Sequence, residues 1–322
     1  MTNETDTTAE HATTPAAKIV VITTGGTIAC TTDRDGVLLP TVSGAELLEP
    51  VAQRFEDTQL ALEVRELDRL DSSAMTLADV DAIIAAVHDA LDDPTVTGVV
   101  VTHGTDSMEE TAVAVDTFHD DPRPVVFTGA QRSFDHPDSD GVGNLFESVV
   151  IAMDSSARGI GVIIVFGHAV IPARGATKWH TSDNLAFATN APEEPTRAEP
   201  LPDAPLADVT VDIIAAYPGA PRTLVDAALD NGADGLVIEA MGAGNVGREL
   251  AIAVGEALDA GTPVVITTRV PRGDVHGSYG GAGGGATLLQ KGALGSHYFR
   301  AAQARILLAA AIATGVHPAT LF

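Results

Sequence analysis

Cysteine occurs once in the 322 residues, at Cys30, which excludes an intramolecular disulfide and any cysteine-based zinc cluster. That residue reads as a small, partly buried side chain rather than a reactive thiol. Lysine is nearly as scarce: Lys18, Lys178 and Lys291 are the only ones among 18 basic residues, which face 44 acids for a net charge of −26. This balance argues against nucleic acid as a partner. A surface so negative repels itself, and at ~1 M salt the screening length falls to about 3 Å and removes most of that repulsion. The composition reads as adaptation to a salty cytoplasm, with an ordinary acidic enzyme as the alternative. Long hydrophobic runs are also missing. The stretch from Ile306 to Ala313 is among the longest and is well short of the roughly 18 residues that span a bilayer, so no membrane role is expected. Residues 1–16 are polar, threonine-rich and acidic, without the basic start and apolar centre of a secretion signal. They read as a disordered acidic tail on a cytoplasmic protein.

What is present is a chain 45% hydrophobic, long enough for two domains with cores of their own. From Lys18 onward, strand-like apolar runs alternate with helical patterns, the sign of α/β architecture with mainly parallel sheets. Strands are expected at Lys18 to Thr23, Leu60 to Leu67, Gly98 to Thr102, Pro124 to Thr128 and Gly161 to Phe166. Between them, helices are expected from a capping box at Ser43 and Glu46 to about Phe55, from Thr76, over Met108 to His119, and over Gly143 to Asp154. Residues 17–189 thus form a larger N-terminal α/β domain. Residues 190–208, with five prolines and no period, read as a Pro-rich linker. Residues 209–322 form a smaller C-terminal α/β domain, ending in a helix over Ala301 to Thr314. Tyr279 to Gly285 (YGGAGGG) reads as a flexible loop.

Ligands of open parallel sheets bind beyond the carboxyl ends of strands. Two hydroxyl-rich turns stand there: Thr23-Thr24-Gly25-Gly26-Thr27 after the first strand, and Thr102-His103-Gly104-Thr105-Asp106-Ser107 after the strand at Gly98. Neither carries a phosphate-binding glycine fingerprint. Taken alone, the first is equally well a tight structural turn. Glu109 and Glu110 read as first-turn acids complementing a helix dipole, and His103 as a packed imidazole. Lys178 is different, because lysine is so rare here; a surface loop lysine is the alternative. A lysine amine can accept a threonine proton while an aspartate orients the resulting ammonium, and Lys178, Thr105 and Asp106 suit those roles, with Thr27 as a second hydroxyl. Such a set points to acyl transfer or amide hydrolysis without metal or organic cofactor.

At these residues the chain resembles a known family. VITTGGTIA at Val21 to Ala29 and VVVTHGTDSMEETA at Val99 to Ala112 are similar to the two signatures of the bacterial-type L-asparaginase/glutaminase family of threonine amidohydrolases. Weaker likeness runs through VVFTGAQR from Val125, ARGATKWHT around Lys178, MGAGN from Met241, TTRVPRG from Thr267 and AQARILL from Ala302. The resemblance implies hydrolysis of asparagine to aspartate and ammonia, without cofactor, in a homodimer or homotetramer whose active sites lie between subunits. It implies that Thr27 attacks the amide carbon and that Thr105, Asp106 and Lys178 are its catalytic partners. It also implies substrate contacts from Ser72, Ser73, Gly104, Thr105, Asp106, Ala130 and Asn245.

Two departures from the family accompany the likeness. Many members have a tyrosine in the loop after the first signature, whereas the first tyrosine here is Tyr217 and Val37 or a neighbour occupies that loop. Members that contribute a glutamate from the partner subunit are matched here by Ser278-Tyr279-Gly280-Gly281, without an acid; Tyr279 is expected to reach the neighbouring site instead. The resemblance leaves two alternatives: a glutaminase-asparaginase, and the asparaginase-like subunit of a tRNA-dependent amidotransferase. The latter family typically carries an extra N-terminal domain, while about 17 residues precede the first strand here.

Overall fold

The apolar run from Lys18 becomes an interior strand because its side chains are buried on both faces, the situation that suits β-branched residues in a parallel sheet. The computed structural model describes residues 17–56, 58–193 and 197–322. The acidic tail expected over 1–16 lies outside them. In the larger domain the elements run β1 (Ala17–Gly25), β2 (Cys30–Thr32), β3 (Leu38–Pro40), α1 (Gly44–Ala52), β4 (Leu60–Leu70), α2 (Leu77–Leu91), β5 (Val96–Thr102), α3 (Met108–Phe118), β6 (Val125–Thr128), α4 (Gly141–Met153), β7 (Val162–Phe166), β8 (Ala169–Pro172), β9 (Ala176–Lys178) and β10 (Phe187–Thr189). The smaller domain follows with β11 (Val211–Ala215), α5 (Thr223–Asp230), β12 (Gly235–Ala240), α6 (Arg248–Asp259), β13 (Val264–Thr268), α7 (Gly285–Gln290), β14 (Leu294–Gly295) and α8 (Ala301–Thr314).

The first domain holds a six-stranded sheet in the order β4-β1-β5-β6-β7-β8, parallel except for β8. The second holds a parallel sheet in the order β11-β12-β13-β14. This is the two-domain α/β architecture expected from the alternating pattern. Ser43 and Thr76 start α1 and α2 through reciprocal capping boxes with Glu46 and Asp79. The Pro-rich stretch holds neither helix nor strand among its described residues, yet it is packed. Leu206 is fully buried, Leu201 N–H donates to the Thr117 carbonyl at 2.8 Å, and Arg197 pairs with buried Asp116 at 3.1 Å.

One face of the larger sheet packs Ile19, Val21, Val100 and Val126 under Leu47, Leu145 and Val149 of α1 and α4. The other packs Val20, Ile22, Val99 and Val101 under Ile83 and Val87 of α2 and Ala112 and Val115 of α3. α8 then joins that core to the smaller sheet, since Ala304, Leu307, Leu308 and Ala311 share one cluster with α3 and with Val237 and Val265. Each fully buried leucine there contributes about 1.5–3 kcal/mol. The position of α3, and of every residue at its N-terminus, is therefore fixed from both domains.

Candidate active site

β1 and β5 lie side by side with Thr23 opposite Thr102, so the turns that follow them emerge together. The first turn runs through Gly25 at φ +94° and Gly26 at φ +78°, a region that glycine alone enters readily. Gly26 has a second constraint: a Cβ there would stand 2.6 Å from the Gly104 Cα. The two turns thus touch backbone to backbone, and the residue after each glycine is a threonine, Thr27 and Thr105. A Cβ at Gly104 would stand 2.3 Å from the Ser72 hydroxyl oxygen, so the segment after β4 closes on the same point.

These three segments line a pocket of about 240 Å³ formed by Gly26, Thr27, Cys30, Leu38, Pro40, Arg69, Leu70, Asp71, Ser72, Gly104, Thr105 and Asp106. That is below the roughly 300–1,000 Å³ of pockets for drug-sized ligands. Two larger hollows, of about 580 and 560 Å³ beside Arg174 and His119, contain neither threonine. Lys178 enters from β9. Its Nζ donates to Thr105 Oγ1 at 2.8 Å and to Asp106 Oδ1 at 2.7 Å. The Thr105 hydroxyl is therefore held against the amine that the sequence pattern paired with it. Asp106 N–H donates to Ser72 Oγ at 3.3 Å, linking the segment after β4 to the signature turn.

The other expected substrate residues are placed as follows. Gly104 lines the pocket. Ser73 is exposed and its hydroxyl donates to Asp71 Oδ1 at 2.9 Å, outside the lining. Ala130 is buried after β6, also outside the lining. Asn245 and Tyr279 belong to the smaller domain and do not line the pocket of their own chain. Asn245 Oδ1 accepts from Gly285 N–H at 3.1 Å, and the Tyr279 side chain is exposed. Val37 sits in the turn between β2 and β3, whose Leu38 and Pro40 form one wall.

Three residues acquire roles that sequence reasoning did not give them. Cys30 lines the pocket, its Sγ donating to the Gly26 carbonyl at 3.4 Å, and burial pushes its thiol up. Arg69 is the one cation among the lining residues, and its Nη1 donates to the carbonyl of Pro40, another lining residue, at 2.9 Å. Glu109 is buried, and its carboxylate accepts the Lys178 backbone N–H. His103 behaves as read: Nδ1 meets the Gly104 carbonyl at 2.7 Å, and burial lowers its pKa to about 4, so it is neutral near pH 7.

Comparison with known proteins finds likeness over almost the whole chain. Residues 18–199 match the family model for the N-terminal domain of asparaginase, and residues 210–321 match that for the glutaminase/asparaginase C-terminal domain. An L-asparaginase from Bacillus licheniformis is 31% identical over 92% of this chain and 96% of its own. A glutamyl-tRNA(Gln) amidotransferase subunit from Aeropyrum pernix is 30% identical over 80% of this chain and 66% of its own. A crystal structure described as a probable cytoplasmic L-asparaginase from Campylobacter jejuni superposes with a TM-score of 0.83, at 25% identity, covering 95% of this chain and 98% of that one.

Proposed function

Because the chain belongs to the asparaginase/glutaminase family and is an amidohydrolase, we propose that it is an L-asparaginase working through a threonine acyl-enzyme. The observation that carries this reading is the Lys178 amine held at 2.8 Å from Thr105 Oγ1 and 2.7 Å from Asp106 Oδ1, beside a pocket lined by Thr27. Thr27 attacks the side-chain amide carbon of asparagine. Thr105 takes the Thr27 hydroxyl proton as it passes its own to the uncharged Lys178 amine, and Asp106 holds the ammonium that forms. That proton returns through Thr105 to the amide nitrogen, which departs as ammonia when the C–N bond breaks and leaves the Thr27 ester. Water then hydrolyses the ester. Backbone N–H groups around Gly104 and Thr105 stabilise the oxyanion.

The same pocket suits a free zwitterion. Asp106 attracts the α-ammonium, while the Ser72 hydroxyl and Arg69 face the α-carboxylate; charge-assisted bonds of this kind favour a free amino acid over a peptide. Glutamine differs from asparagine by one methylene, for which packing discriminates by only ~1–3 kcal/mol, so some glutaminase activity is expected. The likeness to an amidotransferase component supports a second reading, in which the ammonia is passed to a partner protein.

Purified protein decides between these. An asparaginase releases ammonia from asparagine alone, faster than from glutamine, whereas an amidotransferase component needs its partner for efficient turnover. Absence of ammonia release from either amino acid would end the hydrolase reading.

The proposal includes a cytoplasmic, salt-adapted enzyme assembled as a homodimer or homotetramer, with Tyr279 reaching the neighbouring active site. With a net charge of −26, raising KCl from about 0.1 M to about 3 M is expected to raise Tm on the order of 10 °C by screening self-repulsion. A Tm that is flat or falls with KCl would reject the adaptation. Light scattering in the same buffers reads the oligomeric state, and a monomer with full activity would reject the intersubunit site.

A further inference from the structure

β9 carries Lys178 but is not part of the six-stranded sheet. Among the described residues it pairs only with β10, in a two-stranded antiparallel ribbon with Lys178 opposite Phe187. The main sheet therefore reaches the amine only through neighbours of β9, by the Ala173 N–H on the Val162 carbonyl at 2.8 Å and by Phe187 packed on Phe166, and not by ladder hydrogen bonds to β9 itself. Glu109, in the first turn of α3, bridges the gap. Its Oε2 accepts the Lys178 backbone N–H, and its Oε1 is 3.5 Å from the Thr177 hydroxyl. Its own backbone is anchored in turn, because Gln303 of α8 donates from Nε2 to the Glu109 carbonyl at 3.0 Å and to the Ala173 carbonyl at 2.7 Å. Gln303 Oε1 accepts from Gly175 N–H at 2.8 Å, just before β9. Thr105, Asp106 and Glu109 thus stand within one turn of chain, and Lys178 is held to that turn at both its backbone and its amine.

We propose that Glu109 is a positioning residue for the amidohydrolase reaction, fixing β9 so that the Lys178 amine meets the Thr105 hydroxyl. This rests on the functional reading above. It reaches beyond that reading by assigning a role to a buried carboxylate that touches no reacting atom. A first-turn acid serving only the helix dipole would remain in solvent; this one is buried and spends both oxygens on β9.

The ionised form suits the task, since both oxygens then accept and the charge strengthens the bond from the Lys178 N–H, whereas protonation on Oε1 turns that oxygen into a donor to the Thr177 hydroxyl and leaves Oε2 a weaker, neutral acceptor. Burial is the largest influence on this carboxyl and raises its pKa from 4.5 to about 7, helped by the charge of Glu110 on the same helix. The Lys178 N–H, the Thr177 hydroxyl and the Lys178 side chain oppose that rise. On the α8 side the facing group is the neutral Gln303, and Arg305 acts on Glu110. Because the folded carboxyl takes up its proton as pH falls through about 7, the tether weakens on the acid side of that value.

The test is asparagine turnover by wild type, Glu109→Gln, Glu109→Ala and Thr105→Ala, with kcat and KM measured across pH and circular dichroism on each. Wild-type kcat is expected to fall on the acid side with a midpoint near 7. Glu109→Gln keeps an oxygen for the Lys178 N–H but cannot titrate, so it should lose a few-fold in kcat and shift the acid limb down by about one pH unit or more. Glu109→Ala should lose on the order of 100-fold in kcat with KM within about threefold, the pattern of a misplaced catalytic group. Wild-type kcat in a folded Glu109→Ala overturns the proposal, as does an acid limb in Glu109→Gln that coincides with the wild-type limb; should the alanine variant fail to fold, the glutamine variant decides. If Thr105→Ala keeps its activity, the Thr105–Lys178 relay fails and this proposal with it. If Thr105→Ala is dead while both Glu109 variants behave as wild type, only the positioning role is lost.

Discussion

Thr105→Ala is expected to lower kcat for asparagine by about 10⁴-fold, or about 5.5 kcal/mol of barrier, with KM changed only a few-fold. The reasoning starts from the hydrogen bonds. Lys178 and Asp106 hold one another at 2.7 Å, and Lys178 holds Thr105 at 2.8 Å. Removing the hydroxyl leaves the amine in place but cuts the relay by which the Thr27 proton would reach it. In the proposed pose the zwitterion is held by Asp106, Ser72 and Arg69, which the substitution does not touch, so KM is expected to be spared. Thr27→Ala should cost a similar amount, because nucleophile and proton relay act as a unit. The double variant should then be little worse than either single one, as expected for groups whose contributions are not additive. Steady-state kinetics on the three variants checks this; losses that multiply in the double variant would separate the two hydroxyls functionally.

The second large effect is expected from a single methyl group. Gly26→Ala places a Cβ 2.6 Å from the Gly104 Cα, against backbone that cannot rotate aside, at a φ of +78° that an L side chain rarely adopts. With ψ at 176° this is a region that essentially only glycine enters, and forcing a side chain into it costs about 1–3 kcal/mol. The collision must push the two turns apart, and with them Thr27 and Thr105. A displacement on the order of 1 Å at reacting groups costs about 100-fold, so kcat/KM should fall by at least about that factor. Gly219→Ala is the control, since Gly219 has φ +82° with open space around it. It shares the positive φ and should lower Tm slightly while keeping wild-type turnover. Equal activity in the two variants would mean that contact between the turns does not set the catalytic geometry.

Much of this site was legible because its parts sit where patterns are strongest. The runs at Val20 to Thr23 and Val99 to Thr102 are continuous and β-branched, so the strands and the turns that follow them could be placed from sequence, and α8 begins and ends where its pattern does. Lys178 stood out through the scarcity of lysine. Where the pattern is short, the reading failed. β9 is three residues long, Ala-Thr-Lys, and no period marks it as a strand. α7 follows a run of glycines with only six residues, too few for a helical stripe. β4 continues to Leu70, past the expected Leu67, and so delivers Arg69 to the pocket. α1 stops at Ala52 and tightens into a short 3₁₀ turn over Gln53–Phe55 in place of the single helix expected to reach Phe55. Glu109 was assigned to the helix dipole because its real partner, a backbone N–H 69 positions later, leaves no trace in local sequence.

Rapid-quench mass spectrometry of the enzyme turning over asparagine tests the central claim most directly, by locating the covalent intermediate. An added aspartyl group on the peptide that carries Thr27, absent from Thr27→Ala, is the expected result. The same adduct on the peptide that carries Thr105, or on any peptide without Thr27, would contradict the assignment of nucleophile and proton relay to the two touching turns.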